Sequence, residues 1–289
     1  MNAQPKDALR TTAGDSTAAV RAAWDAIAPA YDRTNTPTQM WLGAEGLRRV
    51  SLEAGMRFLD VAAGSGALGI PAARLGARVL AVDQSPVMLE HLRQRARAED
   101  LDIETRVMDG HALELADDGF DLAGSQFGVM LFPDMPQGIR EMTRVVKLGG
   151  RVLISAYGDP HRIDFFDFLL RAIRTVRPEF SGPPMDPVPL PFQLQHPEKL
   201  RAVMTGADLS NVTVDTIEEP TEYRTGKDLW DWLLGSNPIV ESVLSDLRIT
   251  SEELSAIEHA LEEFVRERAG AAPVAVLTSP INIGVGTKR

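Results

Sequence analysis

A chain of 289 residues, 44% hydrophobic and 25% charged, can bury a substantial core, and its length fits one elaborated α/β domain or a domain with a lid. The formal net charge of −11 argues against a nucleic-acid backbone or an anionic membrane surface as partner. Lack of cysteine removes disulfides, thiolate metal sites and cysteine nucleophiles, and the five histidines show no metal-ligand spacing, so no metal is expected.

Residues 1–15 are polar and carry no apolar signal core, and no run reaches membrane-spanning length, so a cytoplasmic chain without stable membrane insertion is expected. Thr17 to Tyr31 has helical spacing through Val20, Trp24 and Ile27, with Pro29 expected to close it. From Arg57 onward, short apolar runs alternate with amphipathic stretches, the order that builds a parallel sheet. The expected strands are Arg57–Val61, Arg78–Val82, Ile103–Met108, Phe120–Gln126 and Arg151–Ala156. Helices are expected around Leu68–Leu75, Pro86–Ala98 and Gln137–Val146, with Ser85 capping the second of them and Arg93 to Arg97 on its solvated face.

Beyond Tyr157 the alternation stops. A helix over Arg162–Val176, a constrained loop Pro183–Pro191, a helix over Pro197–Thr205 and a strand over Val212–Ile217 are expected. Helices over Lys227–Leu234, Ile239–Leu247 and Ser251–Arg268 follow, the last opened by Thr250 and Glu253 at capping-box spacing. Two strand-like segments, Val274–Leu277 and Asn282–Gly286, close the chain. The expected division is an N-terminal helix and cap (1–45), a nucleotide-binding core (46–158), a lid insertion (159–206), a core strand (207–226), a helical lid (227–270) and C-terminal core strands (271–289).

The chemistry gathers at Gly64-Ser65-Gly66-Ala67-Leu68-Gly69, which meets the glycine pattern of a dinucleotide turn, with Asp83 ending the next strand where an acid grips a ribose. That pattern alone also fits a nicotinamide oxidoreductase using NAD(P). Asp60 lies inside the first strand, where nicotinamide folds run uncharged aliphatics, and Asp109-Gly110-His111 ends the third. Acids so close to the turn repel a pyrophosphate but suit the sulfonium and ammonium of S-adenosylmethionine (SAM).

These residues carry a family resemblance. Ile27-Ala28-Pro29-Ala30-Tyr31-Asp32, Phe58 to Gly66, Val82-Asp83-Gln84-Ser85, Asp109-Gly110, Gln126 to Met130 with Phe132-Pro133-Asp134, and Gly149-Gly150-Arg151 occur in the order found in class I SAM-dependent methyltransferases. Within that family the chain resembles the branch of the ubiquinone and menaquinone C-methyltransferases. The resemblance implies a Rossmann-like, doubly wound, seven-stranded α/β sheet, mostly parallel with an antiparallel last strand, plus helical lid insertions. It also implies that Asp60 and the turn Ala62 to Gly66, with Gly64 between them, hold the methionyl part and that Asp83 binds both ribose hydroxyls. Gln84 and Met88 would flank the adenine, Asp109, Gly110 and His111 would contact it, Gln126 would lie near the methionyl end, and Tyr31 would cap the site. The family commonly has glycine where Ala62 stands and proline where Leu148 stands.

Methyl transfer is a displacement on an activated sulfonium, so the protein contributes mainly orientation and exclusion of water. Should the acceptor need a base, His161 is the first candidate, because it follows the fifth strand's carboxyl end, and His196 is a weaker one. His91 and His259 lie on helical patterns and need no function. Phe127, Phe132, Tyr157, Phe165, Trp230 and Trp232 are the candidate walls for a hydrophobic small-molecule acceptor, although helix packing accounts equally well for those in the insertions. The expected activity is methyl transfer to oxygen or carbon of such a molecule; a NAD(P)-dependent oxidoreductase and a catalytically silent SAM-binding protein are the alternatives.

Overall fold

The computed structural model describes residues 17–236 and 239–289; the polar first fifteen residues lie outside them. One seven-stranded sheet organises the chain, in the order β3-β2-β1-β4-β5-β7-β6. Its strands are β1 (Arg57–Val61), β2 (Arg78–Asp83), β3 (Ile103–Val107), β4 (Phe120–Gln126), β5 (Val146–Tyr157), β6 (Leu209–Tyr223) and β7 (Ala275–Lys288). β1 to β5 pair in parallel, and β7 runs antiparallel to both β5 and β6. The central strands β1, β2 and β4 are buried along most of their length, which is why they read as continuous apolar runs rather than alternating ones. Chain order reverses direction across the sheet between β1 and β4, and such a reversal opens a crevice at the strands' carboxyl ends.

The helices are α1 (Thr17–Thr34), α2 (Thr36–Arg49), α3 (Gly69–Arg74), α4 (Pro86–Ala98), α5 (Met135–Val145), α6 (Asp164–Arg174), α7 (Pro197–Thr205), α8 (Gly226–Ser236), α9 (Ile239–Asp246) and α10 (Ser251–Ala269). Phe58, Leu59, Leu89, Leu92, Ile139, Met142 and Leu153 form the sheet's main core. A second core joins α6, α8 and α10 to the ends of β6 and β7 through Phe168, Trp230, Trp232, Leu233, Leu261 and Leu277. The capping box on α10 forms, with the Thr250 side chain accepting from the Glu253 amide and Glu253 accepting from the Thr250 amide. Among the described residues no helix is long and apolar enough to cross a membrane.

Three expectations need correction. Helix α1 passes through Pro29 to Thr34. It is clamped on either side of the proline: Asp25 accepts from the Ser85 hydroxyl at 2.5 Å, and Asp32 accepts from Arg95 at 2.7 Å. These contacts outweigh the single lost helical bond. Helix α2 has no counterpart in the sequence reading because its buried face is Thr36, Gln39, Leu42, Gly43, Gly46 and Leu47, too polar and small to give a hydrophobic period. A Cβ at Gly43 would lie 2.4 Å from the Ala67 carbonyl oxygen, so glycine lets α2 press directly on the turn after β1. Finally, the two C-terminal segments are one strand. Pro280 is tolerated inside β7 because its carbonyl faces Gly158, 2.7 Å away, on the side where β5 has already ended.

Candidate functional site

The chain leaving β1 turns sharply under α3. Ala62, Gly64 and Gly66 all have left-handed backbone, with φ of +55°, +52° and +102°. At Gly66 a Cβ would also lie 2.9 Å from Ile70 Cγ1, so both conformation and space require glycine. Ala62 adopts the same region with a Cβ, a strained conformation that glycine would take freely. Relief of that strain is worth about 1 kcal/mol, so Ala62→Gly is expected to stabilise the folded chain by about 0.5–1 kcal/mol in urea unfolding. A variant less stable than the parent would contradict it.

Asp83, at the carboxyl end of β2, ties this turn to the next. It accepts from the Gly64 amide at 2.9 Å and the Ser85 amide at 2.8 Å. Burial raises its carboxyl above the ordinary range while those amides pull it back. Asp60 lies beneath the turn, only 1% exposed, and burial pushes its carboxyl well up. The Gly69 amide offsets part of that without making a full hydrogen bond to Oδ2, which has no partner.

Tyr31 on α1 donates to Gln39 Oε1 at 2.9 Å, and the Gln39 carbonyl accepts from Gln126 Nε2 at 3.0 Å, leaving Gln126 Oε1 without a donor. Burial first, and Asp83 next, raise the Tyr31 phenol. Asp109 accepts from both the backbone amide and the ring Nδ1 of His111, at 2.9 and 2.8 Å; burial opposes ionisation, but these contacts hold its carboxyl below the usual value.

These groups surround a cavity of about 480 Å³. Tyr31, Ala62, Gly64, Asp83, Gln84 and Met88 line it, as do Asp109, Gly110, His111 and Gln126. Asp60 and Gly66 are not on its wall; they support the turn from below. At the other end Phe127, Tyr157 and Phe165 line it, with Phe127 stacked on Tyr157 at 4.5 Å. Phe132, expected at the acceptor, instead packs on the His111 ring at 4.5 Å and belongs to the opposite end. Gln39, Trp24 and Phe192 also line the cavity. Gln39 carried no sequence signal because α2 itself gave none, whereas Trp24 read as part of a helical period and Phe192 as one of the aromatic residues of the lid insertion.

Two readings of the sequence are overturned by position. Trp230 and Trp232 do not line the cavity; both are packed in the second core, Trp232 behind Phe165 at 4.8 Å. His161 is exposed on a short 3₁₀ turn, Pro160–Arg162, outside the cavity. Beyond Tyr157 the Gly158 amide bonds to Pro280 and Arg162 pairs with Glu218, so the chain leaves the crevice along β7 and β6 instead of crossing it. His161→Ala is therefore expected to change stability and ligand affinity by less than about 0.5 kcal/mol. A tenfold loss of affinity by calorimetry would restore it to the site.

Residues 58–150 match a family model described as a methyltransferase domain. A demethylmenaquinone methyltransferase of Renibacterium salmoninarum is 32% identical over 179 residues, covering 57% of this chain and 71% of that protein. An uncharacterized protein of Mycobacterium tuberculosis is 38% identical over 128 residues, 44% of this chain and 46% of the relative, so the chain spans about half the length of that relative. Among solved structures, the YcgJ protein of Bacillus subtilis has the same fold, with a TM-score of 0.54 at 18% identity over 87% of this chain and 98% of that one. The sheet order and the acid-flanked glycine turn define a Rossmann-like methyltransferase domain. The chain belongs to the class I SAM-dependent methyltransferases and resembles their menaquinone branch, and the NAD(P) reading falls away.

Proposed function

We propose that the protein transfers a methyl group from SAM to oxygen or carbon of an apolar, aromatic or quinone-like small molecule. The observation that carries this reading is a cavity with the unmatched acceptor Gln126 Oε1 and the Asp83 carboxyl at one end and stacked aromatic rings at the other. Asp60 Oδ2 and Gln126 Oε1 are buried near the turn without a hydrogen-bond donor, and neither Asp60 nor Asp83 has an ion-pair partner among the described residues. A ligand bearing N–H donors and positive charge fits that donor-poor, acidic environment; a pyrophosphate does not.

SAM, when bound, supplies a methyl group already activated on a cationic sulfur. In this reading Asp83 accepts from the ribose hydroxyls while its existing amide bonds keep it rigid. Gln84 and Met88 bracket the adenine, and Asp109, Gly110 and His111 meet its edge. The turn Ala62 to Gly66 and Gln126 hold the methionyl group, with Asp60 bracing the turn from beneath and Tyr31 closing over it from α1. Phe127, Tyr157 and Phe165 orient the acceptor and keep water out, which is the protein's main contribution to an in-line displacement. The name of the Renibacterium relative supports a quinone-like acceptor.

Incubation with methyl-labelled SAM and a panel of hydroquinones, phenols and small amines tests the proposal. Label is expected in the apolar hydroxyaromatic compounds. Label confined to amines, or transferred to none of them by protein that binds SAM, would overturn this acceptor class.

A further inference from the structure

Glu219 on β6 and Asn282 on β7 are both buried, and they differ in what they engage. Glu219 makes no side-chain hydrogen bond among the described residues, whereas Asn282 uses every group it has. Its Oδ1 accepts from the Thr216 hydroxyl at 2.7 Å, and its Nδ2 donates to the Leu194 and Gln195 carbonyls at 2.9 and 3.1 Å. A wholly buried amide is costly unless satisfied, so these two carbonyls have one place to lie, and with them the end of the loop that precedes α7.

That loop depends on such anchors. Pro183, Pro184, Pro187, Pro189 and Pro191 carry no amide hydrogen, and no backbone amide in residues 181–190 makes a hydrogen bond among the described residues. The prolines stiffen the loop's own shape and leave its placement to carbonyls and side chains. Arg174 Nε holds the Phe180 carbonyl at 2.9 Å at the near end, and Asn282 holds the far end. Between them Gln193 Nε2 donates outward, to the Met130 carbonyl at 2.9 Å and the Phe132 carbonyl at 3.2 Å. The mount is firm, because the Phe132 ring occupies the space that side chains at Gly110 and Gly138 would need.

What hangs from Gln193 is a wall. Pro183, Pro189, Pro191 and Phe192 all line the cavity, and Phe192 meets Phe166 of α6 at 5.5 Å. Gln193 itself is not on the cavity surface. We propose that Gln193 is a specificity-determining positioning residue: by pinning the wall at 189–192 to the chain after β4, it sets how broad a ring system the acceptor end admits. The inference rests on the methyltransferase reading above for the identity of that end. Without a donor at position 193, the Met130 and Phe132 carbonyls no longer hold the loop, and its nearest remaining anchor is Asn282 at Leu194. Phe192 is then free to withdraw, and the chamber broadens on that side. The turn around Gly64 and Asp83 is held by its own hydrogen bonds, so cofactor affinity stays as it was.

The affinities of two fluorescent probes decide the matter. In protein loaded with S-adenosylhomocysteine, 2-naphthol and 9-phenanthrol are titrated into the parent, Gln193→Glu and Gln193→Met. Glutamate keeps the shape without the donor and methionine keeps the length without charge, so an effect common to both belongs to the lost donor. In each variant the ratio of the two affinities is expected to move about tenfold in favour of the three-ring probe, with S-adenosylhomocysteine affinity unchanged. An unmoved ratio, equal weakening of both probes, a shift in only one variant or a parallel loss of S-adenosylhomocysteine affinity would overturn the proposal, as would a parent that binds neither probe. Failure of the parent to bind S-adenosylhomocysteine would instead overturn the methyltransferase reading, and the probe ratio in the unliganded protein would still test the wall.

Discussion

Glu219→Gln is expected to flatten the dependence of folding stability on pH between about 4.5 and 8. The carboxyl ionises at an ordinary 4.5 when exposed and at about 8 in the folded chain. Between those values the folded state holds a proton that the unfolded state has released, so stability falls as pH rises, by about 1.4 kcal/mol per unit from this group alone. By pH 7.5 the accumulated loss is on the order of 4 kcal/mol. Above 8 both states are ionised and the loss stays constant. Glutamine carries no charge, but its amide is desolvated at about 1–3 kcal/mol at every pH, so a net gain of about 1–3 kcal/mol is expected at pH 8 and a net loss of about 1–3 kcal/mol at pH 4.5. Asp60 is raised in the same direction and keeps its own share of the slope in both proteins. Urea unfolding across this range measures the effect; parallel profiles for parent and variant would refute it.

The second large effect is on cofactor affinity. Asp83→Ala is expected to weaken SAM binding by about 1.5–3 kcal/mol, roughly tenfold to a hundredfold or more, through loss of charge-assisted hydrogen bonds to the ribose. The same change leaves the Gly64 and Ser85 amides without their acceptor, so the turn loosens as well. Asp83→Asn, which keeps one acceptor oxygen of similar shape, is expected to fall between the two. Titration calorimetry on folded protein checks the order, and an undiminished affinity in the alanine variant would remove Asp83 from the cofactor site.

What could be read from the sequence divides along physical lines. Strands β1, β2 and β4 announced themselves because burial on both faces demands unbroken apolar runs, whereas β3 is largely exposed at the sheet's edge, and Asp60 and Asp83 stand out because acids are out of place beside such runs. Helix α2 stayed hidden because its packing depends on close backbone approach at Gly43 rather than on apolar bulk. His161 was misjudged because a position after a strand says nothing about which way the chain turns next. Glu219 was invisible for a different reason. Glu218, Glu219 and Glu222 look alike in an acidic segment, and only the pairing of β6 with β7 decides that Glu219 points inward while its neighbours are exposed. Trp230 and Trp232 share that difficulty, since helical spacing cannot separate a cavity wall from the core behind it.

The placement of β7 bears on how the molecule is made. This last strand sits between β5 and β6, both synthesised before it, and Lys288 near its end donates to the Arg144 and Val146 carbonyls at 2.9 Å. While the ribosome is still translating, β5 therefore presents a bare, adhesive flank and β6 has nowhere to dock. The nucleotide-binding half can condense early around β1 to β4, but closure of the whole sheet must wait until residues 275–288 emerge. A nascent chain of this protein thus depends on residues 275–288, which act as a wedge completing two interfaces in a single event.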